Sequence, residues 1–155
     1  MSAILIAVLI CGVAAALEGL FAGKNVKDVL EKLRKPKFSP PFWMWLIIGI
    51  LYYIICFLIL FRVLRYSDNI QVRYTAFALI LAVMAVNAVW NYFFFRRENL
   101  FAAFVLSIFY SLGAIALFVF LWQFDYLAAY VLTPYLLYLF YAFYWSFGLL
   151  KLNPK

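Results

Sequence analysis

Residues 100–122 read LFAAFVLSIFYSLGAIALFVFLW, a run without a single charged side chain. A helix needs about 20 consecutive apolar residues to cross the hydrocarbon core of a bilayer. The run is continuous and lacks the in-out alternation of a membrane β-strand. A helix that is apolar all round must be covered by lipid or by a large core. The segment therefore predicts a transmembrane helix.

Four more segments of the same kind lie on either side of it. The predicted spans are about 2–23, 42–64, 74–95, 100–122 and 126–150. Five spans use about 100 of the 155 residues, which leaves short turns and one long loop at 24–41. The sequence thus predicts an all-α integral membrane protein, a five-transmembrane-helix bundle that forms a single domain over residues 1–155.

The composition agrees with this class of protein and excludes several kinds of chemistry. Hydrophobic residues make up 70% of the chain and charged residues 12%, against about 45–50% and 25% in soluble domains. The chain has no histidine, which excludes imidazole metal sites and histidine general bases. Paired carboxylates, a Gly-rich phosphate loop and a metal-ligand cluster are missing too. We therefore assign no catalytic residue and no metal ligand.

The charges indicate membrane topology and not nucleic-acid binding, because they fall in the gaps between apolar runs. Ten of the 13 Lys and Arg residues lie on one side of the predicted bundle, in the long loop, the turn at 96–99 and the C-terminal tail. The other three are Arg62, Arg65 and Arg73. Cytoplasmic loops carry the excess of basic residues. We expect the C-terminus and the long loop in the cytoplasm, and the N-terminus on the opposite side.

Polar side chains at membrane depth are the candidates for function, because lipid offers them no partner. Asn87, Trp90 and Asn91 share one helix face by their spacing, which fits either interhelical hydrogen bonds or a ligand site. Ser107 heads a similar face in the fourth span, although such serines commonly bond to their own helix. Glu18 lies near the end of the first span, where we expect it to reach the headgroup region, the alternative being a proton relay.

Aromatic residues mark two further places. In the fifth span Tyr138, Ala142 and Trp145 lie in line, and the small residue between two rings leaves a notch for a neighbouring helix or a flat guest. Trp43 belongs to a rigid aromatic segment at the junction of loop and membrane. That segment is either an interfacial anchor or part of a lid. A small aromatic bundle with a few inward amides suits a flat, largely apolar ligand.

Three motifs make the chain resemble the TspO/MBR family, the tryptophan-rich sensory proteins and mitochondrial translocator proteins. KPKFSPP at 35–41 resembles the family's K-P-x-W-x-P-P, and NAVWNYFF at 87–94 resembles N-x-x-W followed by F-F. PYLLYLFYA at 134–142, followed by Asn153, resembles P-Y-L-x-W-x-x-F-A with its later Asn. The similarity covers about residues 35–153.

This resemblance implies a five-helix bundle whose pocket opens toward the long loop, which acts as a lid. Family members bind porphyrins such as protoporphyrin IX, isoquinoline carboxamides, benzodiazepines and, in animals, cholesterol, and they are often dimers. The implied partners are the lipid bilayer, a porphyrin-like or sterol-like small molecule and a second copy of the chain, with no cofactor beyond a bound porphyrin. The candidate ligand-binding residues are Pro40, Pro41, Trp43, Gly49, Asn87, Trp90, Asn91, Ser107, Tyr138 and Ala142.

Three positions depart from the family pattern. Phe38 stands where the family has Trp, Gly49 where the second helix carries a pocket Trp, and Tyr138 where the fifth helix carries one. Some bacterial members degrade porphyrin in light through that Trp pair, so we expect a receptor or translocator here and not an enzyme. A photo-oxidative porphyrin-degrading enzyme and a ligand-independent regulatory scaffold are the alternatives.

Overall fold

The computed structural model describes residues 2–66 and 69–154. Its helices are α1 Ala3–Ala22, α2 Val26–Lys32, α3 Phe42–Tyr66, α4 Ile70–Asn91, α5 Leu100–Phe124 and α6 Tyr126–Leu152, and a π-helical turn at Tyr92–Arg96 continues α4. The five long helices are apolar enough to cross a membrane, which confirms the predicted all-α, five-span bundle. The third span begins at Ile70 and not near residue 74.

Polar side chains fix the starts of the long helices. The side-chain oxygens of Ser2, Asn69, Asn99 and Asp125 each accept a backbone N–H from the first turn of α1, α4, α5 and α6. These residue types are the preferred helix N-caps because they satisfy donors that the helix leaves free. Helix α1 ends at Ala22, and Gly23 caps it with a φ of 79°, a conformation that suits glycine.

The five long helices are arranged in a ring. Helix α1 packs against α3 and α4, α4 packs against α5, α5 against α6, and α6 against α3. Small side chains lie where the helices approach each other, as is usual in membrane bundles, where close backbone packing replaces the hydrophobic effect. The alanines that are 1% exposed or less are Ala7, Ala76, Ala103, Ala114, Ala128 and Ala129.

The long loop, residues 24–41, lies against the C-terminal part of α6. The Asn153 side-chain amide forms two hydrogen bonds with the Arg34 backbone. It accepts from the Arg34 N–H at 2.9 Å and donates to the Arg34 carbonyl at 3.0 Å. About two turns before Asn153 on α6, the Trp145 indole donates to Ser39 Oγ at 2.9 Å. These bonds join the loop to the final helix.

Two further contacts hold the same loop. The Tyr141 hydroxyl donates to the carbonyl of Phe38 at 2.9 Å, and Phe38 itself has a φ of 67°, a conformation that non-glycine residues seldom adopt. The Pro36 ring packs directly on Gly148, where an added Cβ would come within 2.8 Å of Pro36 Cγ. Only a glycine at position 148 leaves room for this ring.

An ion pair joins α3 to the start of α6 at the other end of the bundle. Arg62 Nη2 lies 2.9 Å from Asp125 Oδ1 and Arg62 Nε lies 3.0 Å from Asp125 Oδ2, a two-pronged arrangement in which both side chains are partly exposed. Asp125 also caps α6 by accepting from the Ala128 N–H. A fork-shaped pair of this kind is stronger than a single contact.

We expect a double-mutant cycle with Arg62→Met and Asp125→Asn to give a coupling energy of about 1 kcal/mol. Asparagine keeps the helix cap, so the cycle isolates the ion pair. The measurement is the free energy of unfolding in mixed detergent micelles. The Lys27–Glu31 pair on α2 is the comparison, since it is exposed and 3.8 Å apart, and its coupling should stay below about 0.5 kcal/mol. Equal coupling in both pairs would contradict the prediction.

Candidate functional site

A large cavity lies between α1 and α3, with its inner wall on α4 and α6. Its volume is about 840 Å³, within the range of about 300–1,000 Å³ that is usual for ligand pockets. Leu30 of α2 and Phe42 at the start of α3 contribute to the wall near the long loop. Most of the remaining wall is apolar or aromatic. The cavity therefore lies inside the membrane-spanning part of the bundle.

The cavity is open sideways, between α1 and α3. Of the residues that line it, Leu46, Ile50 and Ile54 on α3 are 55%, 61% and 48% exposed. Gly12 and Gly19 on α1 are exposed as well. In a spanning bundle this side faces lipid, so the mouth of the cavity opens to the bilayer.

Three glycines keep the cavity wide. A Cβ added at Gly12, Gly19 or Gly49 would meet nothing within 4 Å, and all three residues line the space. A bulkier residue at Gly49 would extend from α3 into the cavity. Because glycine has no side chain, these three positions leave volume that another molecule can fill.

Aromatic rings build the inner wall. Trp45 of α3 lies against Trp145 of α6 with ring centroids 4.6 Å apart, and Trp90 of α4 stacks on Phe94 at 4.7 Å. The π-helical turn bonds each residue to the fifth along the chain, so it widens the helix locally. Phe95 therefore also reaches the Trp90 ring, at 6.0 Å. The turn places two consecutive phenylalanines around one indole.

A polar cluster centred on Glu18 interrupts the apolar wall. Its Oε2 accepts from the Tyr53 hydroxyl at 2.6 Å and from the Asn87 amide at 2.8 Å, and its Oε1 accepts from the Asn91 amide at 3.0 Å. Helices α1, α3 and α4 thus each contribute to one network. All four side chains line the large cavity.

A second, smaller cavity of about 80 Å³ lies deeper, between α4, α5 and α6. It shares Trp45, Asn87, Trp90 and Tyr138 with the large cavity. The Trp90 Nε1 is buried and has no hydrogen-bond partner among the described residues. The indole N–H is therefore a free donor at the wall between the two spaces.

Comparison with known proteins agrees with this architecture. A sequence model described as the TspO/MBR family matches residues 7–152. The chain belongs to the TspO/MBR family. It is also 26% identical over 144 residues to Protein CrtK from Rhodobacter capsulatus, and the match covers 93% of this chain and 88% of that relative. The TspO/MBR chain is an integral multi-pass membrane protein, and its family supports a sensory or translocator role. Which terminus faces the cytoplasm stays a prediction.

The residues predicted from the TspO/MBR motifs divide between the two cavities. Asn87, Trp90 and Tyr138 line both, Gly49 and Asn91 line the large one, and Ser107 and Ala142 line the small one. Pro40, Pro41 and Trp43 line neither, and Trp43 is 57% exposed. Its neighbours Phe42 and Trp45 line the large cavity instead. The loop closes one end of that cavity, whereas the mouth opens sideways.

Three of the predicted polar side chains form hydrogen bonds within the protein. Asn87 and Asn91 bond to Glu18 across helices, as the interhelical alternative predicts, and both also line the large cavity. Ser107 donates to the Phe104 carbonyl of its own helix at 2.6 Å, as serines in spanning helices commonly do. The oxygen of Ser107 is still able to accept a bond.

The sequence-based placement of Glu18 was wrong. The side chain turns into the bundle and not toward the headgroups, because Tyr53 and two amides there give its oxygens partners that lipid lacks. The sequence did contain features that indicate an inward-facing Glu18. Glu18 is the one carboxylate of the predicted spans, and Cys11, Ala15 and Ala22 on its helix face are small enough to leave a recess.

Proposed function

We propose that the protein is a membrane receptor or translocator that binds a porphyrin-like or other flat hydrophobic ligand in the large cavity. The observation that carries this proposal is the cavity itself, with its volume of about 840 Å³ and its aromatic walls. Small-molecule sites are mostly apolar with a few placed polar groups. The Glu18 cluster and the free Trp90 N–H are such groups.

The route of access supports a hydrophobic ligand. The mouth lies between lipid-facing parts of α1 and α3, so a molecule dissolved in the bilayer reaches it without crossing water. The long loop at the closed end carries six basic residues. These are the groups that would attract the propionates of a porphyrin whose ring lies in the cavity. The six basic residues are Lys24, Lys27, Lys32, Arg34, Lys35 and Lys37.

The cavity also weighs against a ligand-independent scaffold. A bundle that acts only through its outer surface gains stability from a filled interior, because an unfilled one loses packing contacts. Three glycines that widen the space, with no side chain within 4 Å of their added Cβ, are what a ligand site needs.

We expect protoporphyrin IX to quench the tryptophan fluorescence of the purified protein in detergent, because Trp45, Trp90 and Trp145 line the cavity. Gly49→Phe should weaken this binding about tenfold, since a ring placed in the cavity competes with the ligand for space. Fluorescence titration of both proteins gives the two dissociation constants.

The matched control is Leu51→Phe, on the same helix but 51% exposed and outside the cavity wall. Its dissociation constant should equal that of the wild type. Unchanged affinity in Gly49→Phe would show that the ligand binds elsewhere. The Soret band of the bound porphyrin should stay constant under light, relative to a protein-free sample. Loss of the band above that background would favour the degrading enzyme.

A further inference from the structure

Glu18 gives the large cavity a chemical preference that its apolar walls lack. The carboxylate lies in α1 four residues before the end of the helix at Ala22, and it lines the cavity. It is therefore near the loop end of the membrane-spanning segment. A carboxylate at this depth is rare and is retained where it has a function.

The hydrogen bonds of Glu18 match an ionised carboxylate. The Asn87 and Asn91 nitrogens only donate, and the Tyr53 hydroxyl is placed to donate as well. An ionised carboxylate accepts at about four lone-pair positions and donates at none. Three of these are used by the protein. One acceptor position is left for a group in the cavity.

The negative charge of Glu18 has no cationic partner in the described part of the chain. No Lys or Arg nitrogen of the described residues lies within 4.0 Å of it, and the ion pairs between described residues are Lys27–Glu31 and Arg62–Asp125. The Arg96 guanidinium contacts α1 at the Leu20 carbonyl, at 3.4 Å. An unpaired charge away from water is unfavourable, so a cation bound beside Glu18 would be stabilised by it.

Aromatic rings that line the same cavity suit a cation too. The Tyr53 ring, which bears the bonded hydroxyl, lies 5.0 Å from the Tyr52 ring, and Trp45, Phe57 and Trp90 line the same space. The negative faces of aromatic rings attract ammonium groups, and aromatic cages are the common sites for them. Carboxylate and rings therefore favour the same sign of charge.

We propose, building on the receptor function above, that the cavity recognises an apolar molecule that carries a protonated amine or quaternary ammonium group, which pairs with Glu18. The apolar body lies along the aromatic wall, and the nitrogen lies at the polar cluster. Such a nitrogen belongs either to a free lipophilic amine or to the headgroup of a membrane lipid. A ligand with carboxylates has to keep them away from Glu18, at the basic loop.

The test uses three probes that share one flat ring system. They are 9-(aminomethyl)anthracene, a cation at neutral pH, 9-methylanthracene, which is neutral, and 9-anthracenecarboxylate, an anion. Energy transfer from the cavity tryptophans to the anthracene reports binding to the full-length protein in dodecyl maltoside. Gly49→Phe in the same micelles gives the background from probes dissolved in detergent.

We expect the wild type to bind the amine more tightly than the carboxylate by about tenfold or more, the effect of one charge-assisted bond. Glu18→Gln should bring the two affinities within about threefold, because glutamine keeps the length of the side chain and one acceptor oxygen but removes the charge. 9-Methylanthracene should bind both proteins equally. Glu18→Asp keeps the charge and should keep the preference for the amine.

Glu31→Gln is the control for the removal of a carboxylate, since Glu31 is exposed on α2 and outside the cavity. It should behave as the wild type. Equal binding of the three probes, or an amine preference that persists in Glu18→Gln, would overturn the proposal and leave the receptor function standing. If no probe binds above the Gly49→Phe background, both proposals fail. Competition by diheptanoylphosphatidylcholine supports a lipid headgroup as the natural cation, and its absence supports a free amine.

Discussion

Phe94→Ala should lower the free energy of unfolding by about 3–5 kcal/mol, the usual cost of removing a fully buried aromatic ring. Phe94 is 1% exposed. Its ring lies 4.7 Å from the Trp90 ring, 4.8 Å from Phe95 and 5.8 Å from Trp145. Removing it leaves a hole behind two walls of the large cavity. Ligand affinity should therefore fall together with stability.

The measurement is unfolding in mixed micelles with an increasing fraction of denaturing detergent. Phe140→Ala on α6 is the matched control, because that ring is 75% exposed and faces outward. It should change the free energy of unfolding by less than about 0.5 kcal/mol. If Phe94→Ala lowered the free energy of unfolding by no more than this, the π-helical turn would not pack as described.

Gly148→Val should release the long loop from α6. The first atom of any side chain at position 148 comes 2.8 Å from Pro36 Cγ and 3.0 Å from its Cβ, and a proline ring has little freedom to move aside. We expect a loss of about 2–3 kcal/mol in loop docking from this overpacking. Trypsin cleavage after Lys32 and Arg34 should then be faster by more than about tenfold.

Gly12→Val tests whether the effect belongs to the contact and not to the loss of a helical glycine. Gly12 is also inside a helix, but its added Cβ meets nothing within 4 Å. Cleavage of the loop should keep its wild-type rate. Trypsin digestion followed by mass spectrometry gives the rate for each protein. Similar acceleration in both variants would rule out a specific role for the Pro36 contact.

The positions of the five spans could be predicted from the sequence, because few backbone conformations satisfy their hydrogen bonds in lipid. Apolar runs of the required length, with at most one charged residue each, form helices in a bilayer, and their ends are marked by charges and caps such as Asn99 and Asp125. The inward face of Asn87 and Asn91 followed from the same physics. Lipid cannot satisfy an amide, so the two side chains had to turn toward the other helices.

The spacing of Asn87 and Asn91 did not indicate that Glu18 is their hydrogen-bond partner. Helical periodicity assigns residues to a face of one helix, whereas the contact of Glu18 with Asn87 and Asn91 depends on the relative rotation and depth of α1 and α4. The bond between Arg34 and Asn153 joins positions 119 residues apart. The π-helical turn is equally hidden, because the composition of Tyr92–Arg96 does not distinguish it from α-helix.

The sideways mouth between α1 and α3 has a consequence for any affinity measured on this protein. A compound that enters there equilibrates first with the surrounding lipid, so its partition coefficient multiplies its intrinsic affinity. Each methylene adds about 0.8 kcal/mol to the transfer from water, without one new contact in the protein. Apparent dissociation constants should therefore rise with the amount of lipid in the sample, and analogues are properly ranked by mole fraction in the membrane.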